Sequence, residues 1–132
     1  MKNLLTISIA ILFLAPLPIS SVNKQVEYQQ NEVLSRESLE GMVWDIGIEK
    51  GLSGGKIRQI IGVINCESSW DVNAIGDDGT SFGLVQIHLP AHPNIMTDQA
   101  NNPVFAIDFI TSEFKKGNEH MWTCWNNMYG VE

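Results

Sequence analysis

The sequence feature that most constrains the fold is an abrupt change of pattern after Ile64. Before this point, Ile57, Ile60, Ile61 and Ile64 recur at three- and four-residue spacing, which predicts an apolar stripe along one face of a helix. After it, residues 71–86 contain the Asp and Gly residues typical of turns and show no helical period. The chain must therefore leave a helix and enter a small β-hairpin or an extended loop within a few residues.

The same local signals predict the neighbouring helices. Ser35 is placed to cap a helix that runs to about Lys50, where Gly51 ends it, and Ser53 is placed to cap the Ile-rich helix. Two helices joined by so short a turn should pack as a hairpin.

Further helices follow the β or loop segment. A short turn is expected at Thr97 or Asp98, and the pair Asn102-Pro103 predicts a longer helix that ends at Gly117. Asn118 is expected to cap a last turn or two. The fold class predicted is therefore α+β and mostly α, with one small β insertion after the second helix.

The N-terminal region divides into two segments with different compositions. Residues 1–21 contain Lys2, an apolar run and then prolines, which is typical of a signal peptide, and the run is too short to span a bilayer. The alternative is a membrane anchor. Residues 22–34 are polar and Gln-rich and are expected to form a flexible lead-in. We therefore expect an exported protein whose folded domain covers residues 35–132.

The net charge limits the classes of partner. The formal net charge is −7, and removal of the segment that contains Lys2 makes it more negative. Binding to nucleic acid requires clustered Lys and Arg side chains, so nucleic acid is not expected as a partner. The negative net charge also excludes simple electrostatic attraction to an anionic cell wall.

The cysteines and histidines bear on disulfide and metal chemistry. Cys66 and Cys124 form an even count in a chain expected to be exported, so a disulfide is predicted, with two unpaired thiols as the alternative. His88 and His92 are four residues apart, but Pro90 between them disfavours the helix that would make them a metal pair. Neither a metal nor another cofactor is expected.

Glu67 is the candidate for acid chemistry. It lies near the C-terminal end of the predicted second helix, where the helix dipole disfavours an ionised carboxylate. Ile64 and Trp70 offer apolar surroundings, and burial raises a carboxyl pKa. Both effects favour a protonated acid near neutral pH, which is what a general acid requires. An exposed glutamate at a helix end is the alternative.

The segments around Glu67 resemble the lysozyme-like superfamily, and above all its Slt-type lytic transglycosylases. Glu67-Ser68 matches the family's Glu-Ser pair, and Gly83-Leu84-Val85-Gln86 matches its Gly-Leu-Met-Gln run. A third motif, Ala-Tyr-Asn, is only echoed by Cys124-Trp125-Asn126. The resemblance covers about residues 37–126 and implies a lysozyme-like helical domain with its β segment after the catalytic helix.

The resemblance also implies an activity and a set of site residues. Slt-type enzymes cleave the bond between N-acetylmuramic acid and N-acetylglucosamine in peptidoglycan, with one glutamate as acid and base and with formation of a 1,6-anhydro ring. Glu67 would be that glutamate in a monomeric enzyme that binds glycan strands. The substrate-binding residues implied are Ser68, Ser81, Phe82, Gln86, Trp125 and Asn126.

Several of these residues have alternative roles. Ser68 either contacts Glu67 or caps the helix end, and the amide of Gln86 either binds sugar or ties down the β segment. Four aromatic residues are candidates either for sugar stacking or for the core: Trp70, Phe82, Trp122 and Trp125.

The choice between lyase and hydrolase depends on a second carboxylate. Lysozymes of the c-type have an aspartate directly before an aromatic-Gly pair, and here Ser81 occupies that place before Phe82-Gly83. Asp71, Asp77 and Asp78 remain as candidates, but solvated turn residues are the favoured interpretation. A transglycosylase is therefore expected, with a lysozyme-type hydrolase or a non-catalytic glycan-binding module as alternatives.

Overall fold

The structure, a computed structural model, describes residues 34–130. The predicted signal peptide and all of the predicted lead-in except Leu34 lie outside these residues. Within the described residues, none of the helices is both long enough and apolar enough to cross a membrane.

The first two helices begin where the sequence predicts them. Helix α1 comprises Arg36–Glu49, and the Ser35 hydroxyl accepts a hydrogen bond from the Ser38 N–H at 3.2 Å. Helix α2 comprises Gly54–Ser68, and the Ser53 hydroxyl accepts from the Lys56 N–H at 3.3 Å. These side chains satisfy N–H groups that have no partner within the first helical turn. The two helices pack against each other, as predicted.

A three-stranded antiparallel sheet follows α2. Its strands, in the order β1-β2-β3, are β1 (Ile75–Gly76), β2 (Ser81–Phe82) and β3 (Ile87–His88). Gly76 pairs with Ser81, and Ser81 pairs in turn with His88. Short 3₁₀ turns occupy Asp77–Gly79 and Leu89–Ala91. The small β insertion predicted after the second helix is confirmed.

The C-terminal half of the described chain is helical. Helix α3 comprises Thr97–Ala100, α4 comprises Pro103–Lys116 and α5 comprises Thr123–Tyr129, with a 3₁₀ turn at Glu119–Met121 before α5. The side-chain oxygen of Asn102 accepts a hydrogen bond from the Phe105 N–H at 3.1 Å and caps α4, as predicted. Asn118 precedes the 3₁₀ turn as predicted, but its side chain makes no such cap, and its amide nitrogen donates to Glu113 Oε2 at 2.6 Å.

The core lies between α1, α2 and α4 and is closed by the loop that joins β2 to β3. The two loop residues Leu84 and Val85 are fully buried. They complete a cluster whose helical members include Leu39, Val43, Ile57, Ile60, Ile64, Ile107, Ile110 and Phe114. The fold is therefore mostly helical with a small antiparallel sheet, and the core fixes the β2–β3 loop beside the end of α2.

Candidate functional site

The end of helix α2 is fixed by backbone conformation and by Ser68. Ser69 and Trp70 both have positive φ, 51° and 70°, so the helix stops directly after Ser68. The Ser68 hydroxyl donates to the Ile64 carbonyl at 3.2 Å and accepts from the Trp70 N–H at 3.1 Å. Of the two roles considered for Ser68, these contacts are those of the helix end. Glu67 is thereby held in the last turn of α2.

The Glu67 carboxyl is partly buried, and its pKa is raised. Burial is the largest cause, because removal of water penalises the charged form. The Cys124 backbone N–H donates to Glu67 Oε1 at 3.3 Å and lowers the pKa, while the negative charge of Asp77 raises it. The direction of the shift is the one expected from the sequence, but an aspartate and a backbone donor also contribute.

Glu67 lies in a cleft of about 620 Å³ between α2, the sheet and the start of α5. This volume is within the range of pockets that bind small molecules. The cleft contains two carboxylates and two histidines, and neither Lys nor Arg is among its described lining residues. The residues that line it are Glu67, Asp77, Ser81, Gln86, Ile87, His88, Ala91, His92, Phe109, Met121, Trp122 and Thr123.

Asp77, Ser81 and His88 form a polar cluster on the sheet side of the cleft. The buried Ser81 hydroxyl donates to Asp77 Oδ2 at 2.5 Å and lies 3.2 Å from His88 Nδ1. Asp77 Oδ2 and His88 Nδ1 are 3.9 Å apart. The Asp77 side chain is 70% exposed and belongs to a turn, as expected, yet its carboxylate is part of the Glu67 cleft. Position 81 itself has only a hydroxyl, but this hydroxyl binds the Asp77 carboxylate and so keeps a carboxylate beside it.

Gln86 lines the cleft and also stabilises the loop that contains it. Its side-chain Nε2 donates to the Gly83 carbonyl at 2.9 Å and to the Ala74 carbonyl at 3.2 Å. These bonds occupy both N–H groups of the amide. The amide nitrogen thus ties down the β segment, which is one of the two roles considered for this residue.

Four of the six predicted binding residues are not among the residues that line the cleft. One of them is Ser68, whose hydroxyl belongs to the end of α2. Phe82 and Trp125 pack against the core. The Asn126 amide donates to the His120 carbonyl at 2.8 Å and to the Trp122 carbonyl at 3.1 Å, so it is used by the chain just before it. A 3₁₀ turn precedes α5, which begins at Thr123. The residues of this region that line the cleft are Met121, Trp122 and Thr123.

Trp122 joins the core to the cleft. It is 5% exposed, and its indole N–H donates to the Val85 carbonyl at 2.9 Å. Its ring lies 5.7 Å from Phe114 and 6.2 Å from Phe109, measured between centroids. The hydrogen bond links the buried β2–β3 loop to the residues that precede α5. Trp70, by contrast, is buried and does not line the cleft.

The predicted disulfide between Cys66 and Cys124 is present, with the two Cα atoms 6.0 Å apart. It joins the last turn of α2 to α5 across 58 residues of sequence. Glu67 directly follows Cys66, and Cys124 supplies the backbone donor to Glu67. The disulfide is therefore part of the surroundings of the carboxyl as well as a cross-link.

Two further observations bear on the choice of site. A larger cleft of about 930 Å³ lies between α1 and α4, with Ile46, Lys50, Phe105 and Asp108 in its walls, and it contains none of the predicted site residues. Residues 34–130 contain no group of three or more His, Cys, Asp or Glu side chains arranged to hold a metal ion. The Glu67 cleft is therefore the candidate site.

Comparison of the chain with protein-family models, with curated protein sequences and with solved structures finds no match.

Proposed function

We propose that the chain is an exported, monomeric lytic transglycosylase with a lysozyme-like fold that cleaves peptidoglycan glycan strands at the N-acetylmuramic acid–N-acetylglucosamine bond. The observation that carries this proposal is the position of Glu67. It is a partly buried acid at the end of a helix, with a raised pKa, and it lies in a cleft that Gln86 also lines. The agreement of the Glu-Ser and Gly-Leu-Val-Gln segments with the family's first two motifs also supports it.

The surroundings of Glu67 suit a group that acts first as an acid and then as a base. Burial favours the protonated form of the carboxyl, and this form can donate its proton to the bridging oxygen as the glycosidic bond breaks. The carboxylate formed in this step accepts the hydrogen bond from the Cys124 N–H, which favours the charged form. The carboxylate then takes the proton of the muramyl 6-hydroxyl while that oxygen closes the 1,6-anhydro ring.

A glycoside hydrolase is the second candidate, and one observation favours it. Asp77 shares the cleft with Glu67 and is held by the Ser81 hydroxyl. Hydrolases generally use two carboxyl groups, one as acid and the other as nucleophile or as the base that activates water. In this mechanism Glu67 would remain the acid, and Asp77 would supply the second function.

Product analysis distinguishes the two mechanisms. Purified sacculi are digested, and the released fragments are identified by mass spectrometry. We expect 1,6-anhydro ends, whereas reducing ends, which are heavier by one water, would replace the transglycosylase with the hydrolase. Binding to sacculi without any release by the wild-type protein would instead indicate a glycan-binding module.

Variants assign the roles of the two carboxylates. We expect Glu67→Gln to lose at least ~100-fold in rate, because general acid catalysis contributes roughly 10²–10⁴-fold. Asp77→Asn should retain most of the activity if Glu67 acts alone, and should lose it if the enzyme is a hydrolase. Asp78→Asn is the matched control, since Asp78 is in the same turn but does not line the cleft. Full activity of Glu67→Gln would refute both mechanisms.

Export is proposed from residues 1–21 alone. Expression of the full chain in a bacterial host, followed by N-terminal sequencing of the protein in the envelope and medium fractions, tests it. A mature protein that begins near residue 22 is expected, and an uncleaved chain in the membrane fraction would favour an anchor.

A further inference from the structure

Cys124 contacts the candidate acid in two ways. Its sulfur is bonded to Cys66, the residue directly before Glu67. Its backbone N–H donates to Glu67 Oε1 at 3.3 Å. The covalent bridge and the hydrogen bond thus connect the same two points, the last turn of α2 and the second residue of α5.

Helix α5 depends on a few anchors to stay in place. It has seven residues, none of which is fully buried, and a helix of this length is not stable by itself in water. Apart from the disulfide, Trp125 packs on the core, and Met128 and Tyr129 lie beside Gly62 of α2. The disulfide is the anchor nearest to the donor that Glu67 uses.

The disulfide is also accessible to solvent. Cys66 is exposed and Cys124 is partly exposed. A dithiol reductant can therefore reach the bond. The dithiol loses two electrons and two protons as it forms its own disulfide. Cys66 and Cys124 each gain one electron and one proton and become thiols.

We propose that Cys124 is a positioning residue for Glu67, and that the Cys66–Cys124 disulfide makes the candidate site respond to thiol reductants. In the oxidised protein, the bridge keeps the Cys124 N–H against the Glu67 carboxylate. In the reduced protein, Cys124 is no longer held beside the last turn of α2, and Glu67 loses this donor. The inference concerns the residue that the proposed function assigns as the acid, but it does not require that the protein cleaves glycan.

The expected consequence has a definite sign. The Cys124 N–H lowers the pKa of Glu67 against the effects of burial and of Asp77. Loss of this hydrogen bond removes the contribution that lowers the pKa, so the pKa of Glu67 rises further. The other titratable groups in the cleft, Asp77, His88 and His92, belong to the sheet side and the segment that follows it, and they are not attached to α5.

The test is a titration of the Glu67 side-chain carboxyl by ¹³C NMR on the full chain, in the oxidised state and after reduction with a dithiol. Mass spectrometry checks that both thiols have formed. We expect the Glu67 midpoint to move upward on reduction. An unchanged midpoint in the reduced protein, or a downward one, would overturn the proposal.

Glu113 provides an internal control for a general loosening of the fold. Its pKa is lowered by the hydrogen bond from the Asn118 amide and by Lys116, and it does not line the Glu67 cleft. A positioning effect moves the Glu67 midpoint and leaves that of Glu113 unchanged. If both midpoints move to ordinary values, the disulfide has only a structural role.

A variant and an activity measurement complete the experiment. The double variant Cys66→Ser/Cys124→Ser should show the reduced-state midpoint with and without dithiol, whereas sensitivity to dithiol in this variant would assign the effect to another group. If the protein cleaves sacculi, the pH profile of the rate should shift in the same direction as the Glu67 midpoint. Absence of cleavage would count against the proposed function and would leave the NMR result as the measure of this inference.

Discussion

Gly83 offers a sharp test of how the β segment is seated on the helices. It precedes the buried pair Leu84-Val85, and its N–H donates to the Ala74 carbonyl at 2.8 Å. Its φ is +75°, and a Cβ added to it would lie 2.1 Å from the Ala100 carbonyl oxygen. This approach of the loop to α3 leaves no room for a side chain, so Gly83→Ala should be strongly destabilising.

The magnitude has two parts. A non-glycine residue in the left-handed region costs about 1–2 kcal/mol. The contact with the Ala100 carbonyl is with backbone, so the loop or α3 must shift within a packed core, and overpacking of this kind costs roughly 1–3 kcal/mol. Together they predict a loss of about 2–5 kcal/mol, a large share of the ~5–15 kcal/mol by which domains are stable.

Gly79→Ala is the matched control. Gly79 is in the same insertion and has φ +90°, but an added Cβ there meets nothing within 4 Å. This variant should lose only the conformational part, about 1–2 kcal/mol. Urea unfolding followed by circular dichroism gives both free energies. If Gly83→Ala is no more destabilising than Gly79→Ala, the close approach of the loop to α3 is wrong.

Three further predictions concern stability. Trp122→Phe removes the donor to the buried Val85 carbonyl and should lower the free energy of unfolding by about 1–3 kcal/mol in urea titrations, and an unchanged value would contradict that hydrogen bond. Burial acts to raise the pKa of Glu119, but the hydrogen bond and charge of Lys56 lower it overall. Its stabilising effect is therefore present above the unfolded-state pKa and is lost as pH falls through the folded-state pKa. Glu119→Gln should consequently flatten the acid side of a plot of Tm against pH, and an unchanged slope would count against the pair. The pKa of Glu67 is raised, so its stabilising effect is present below the unfolded-state pKa and is lost as pH rises through the folded-state pKa. Glu67→Gln should therefore raise Tm at about pH 7 and leave it nearly unchanged at about pH 4, and equal effects at both values would argue against a raised pKa.

The starts of α1, α2 and α4 could be predicted because each is capped by a side chain that acts on a nearby residue. Ser35, Ser53 and Asn102 each accept a hydrogen bond from the N–H three residues ahead, a geometry that follows from local sequence. A side-chain cap at Asn118 was predicted from the same rule and is absent, and the Asn118 amide nitrogen instead donates to Glu113 on the preceding helix. A side-chain contact that crosses the end of a helix is not part of the capping rule.

The third-motif region could not be located from sequence for a related reason. Trp125 and Asn126 only echo the third motif of the family that the sequence resembles, and the cleft is lined by Met121, Trp122 and Thr123. The 3₁₀ turn and the extended Trp122 set where α5 begins, and both depend on the packing of Trp122 between the core and the Val85 carbonyl. The order of side chains around the cleft is thus decided by the core rather than by local propensity.

The same dependence on tertiary structure changes the argument about the second carboxylate. From sequence, Ser81 in the place of an aspartate favours a site in which Glu67 acts alone. The pairing of Gly76 with Ser81, between strands of only two residues, brings Asp77 to the Ser81 hydroxyl and into the cleft. The cleft therefore contains a second carboxylate although position 81 is a serine. The charge of Asp77 raises the pKa of Glu67, so Asp77 affects Glu67 in either mechanism. Analysis of the products decides whether Asp77 also takes part in the reaction.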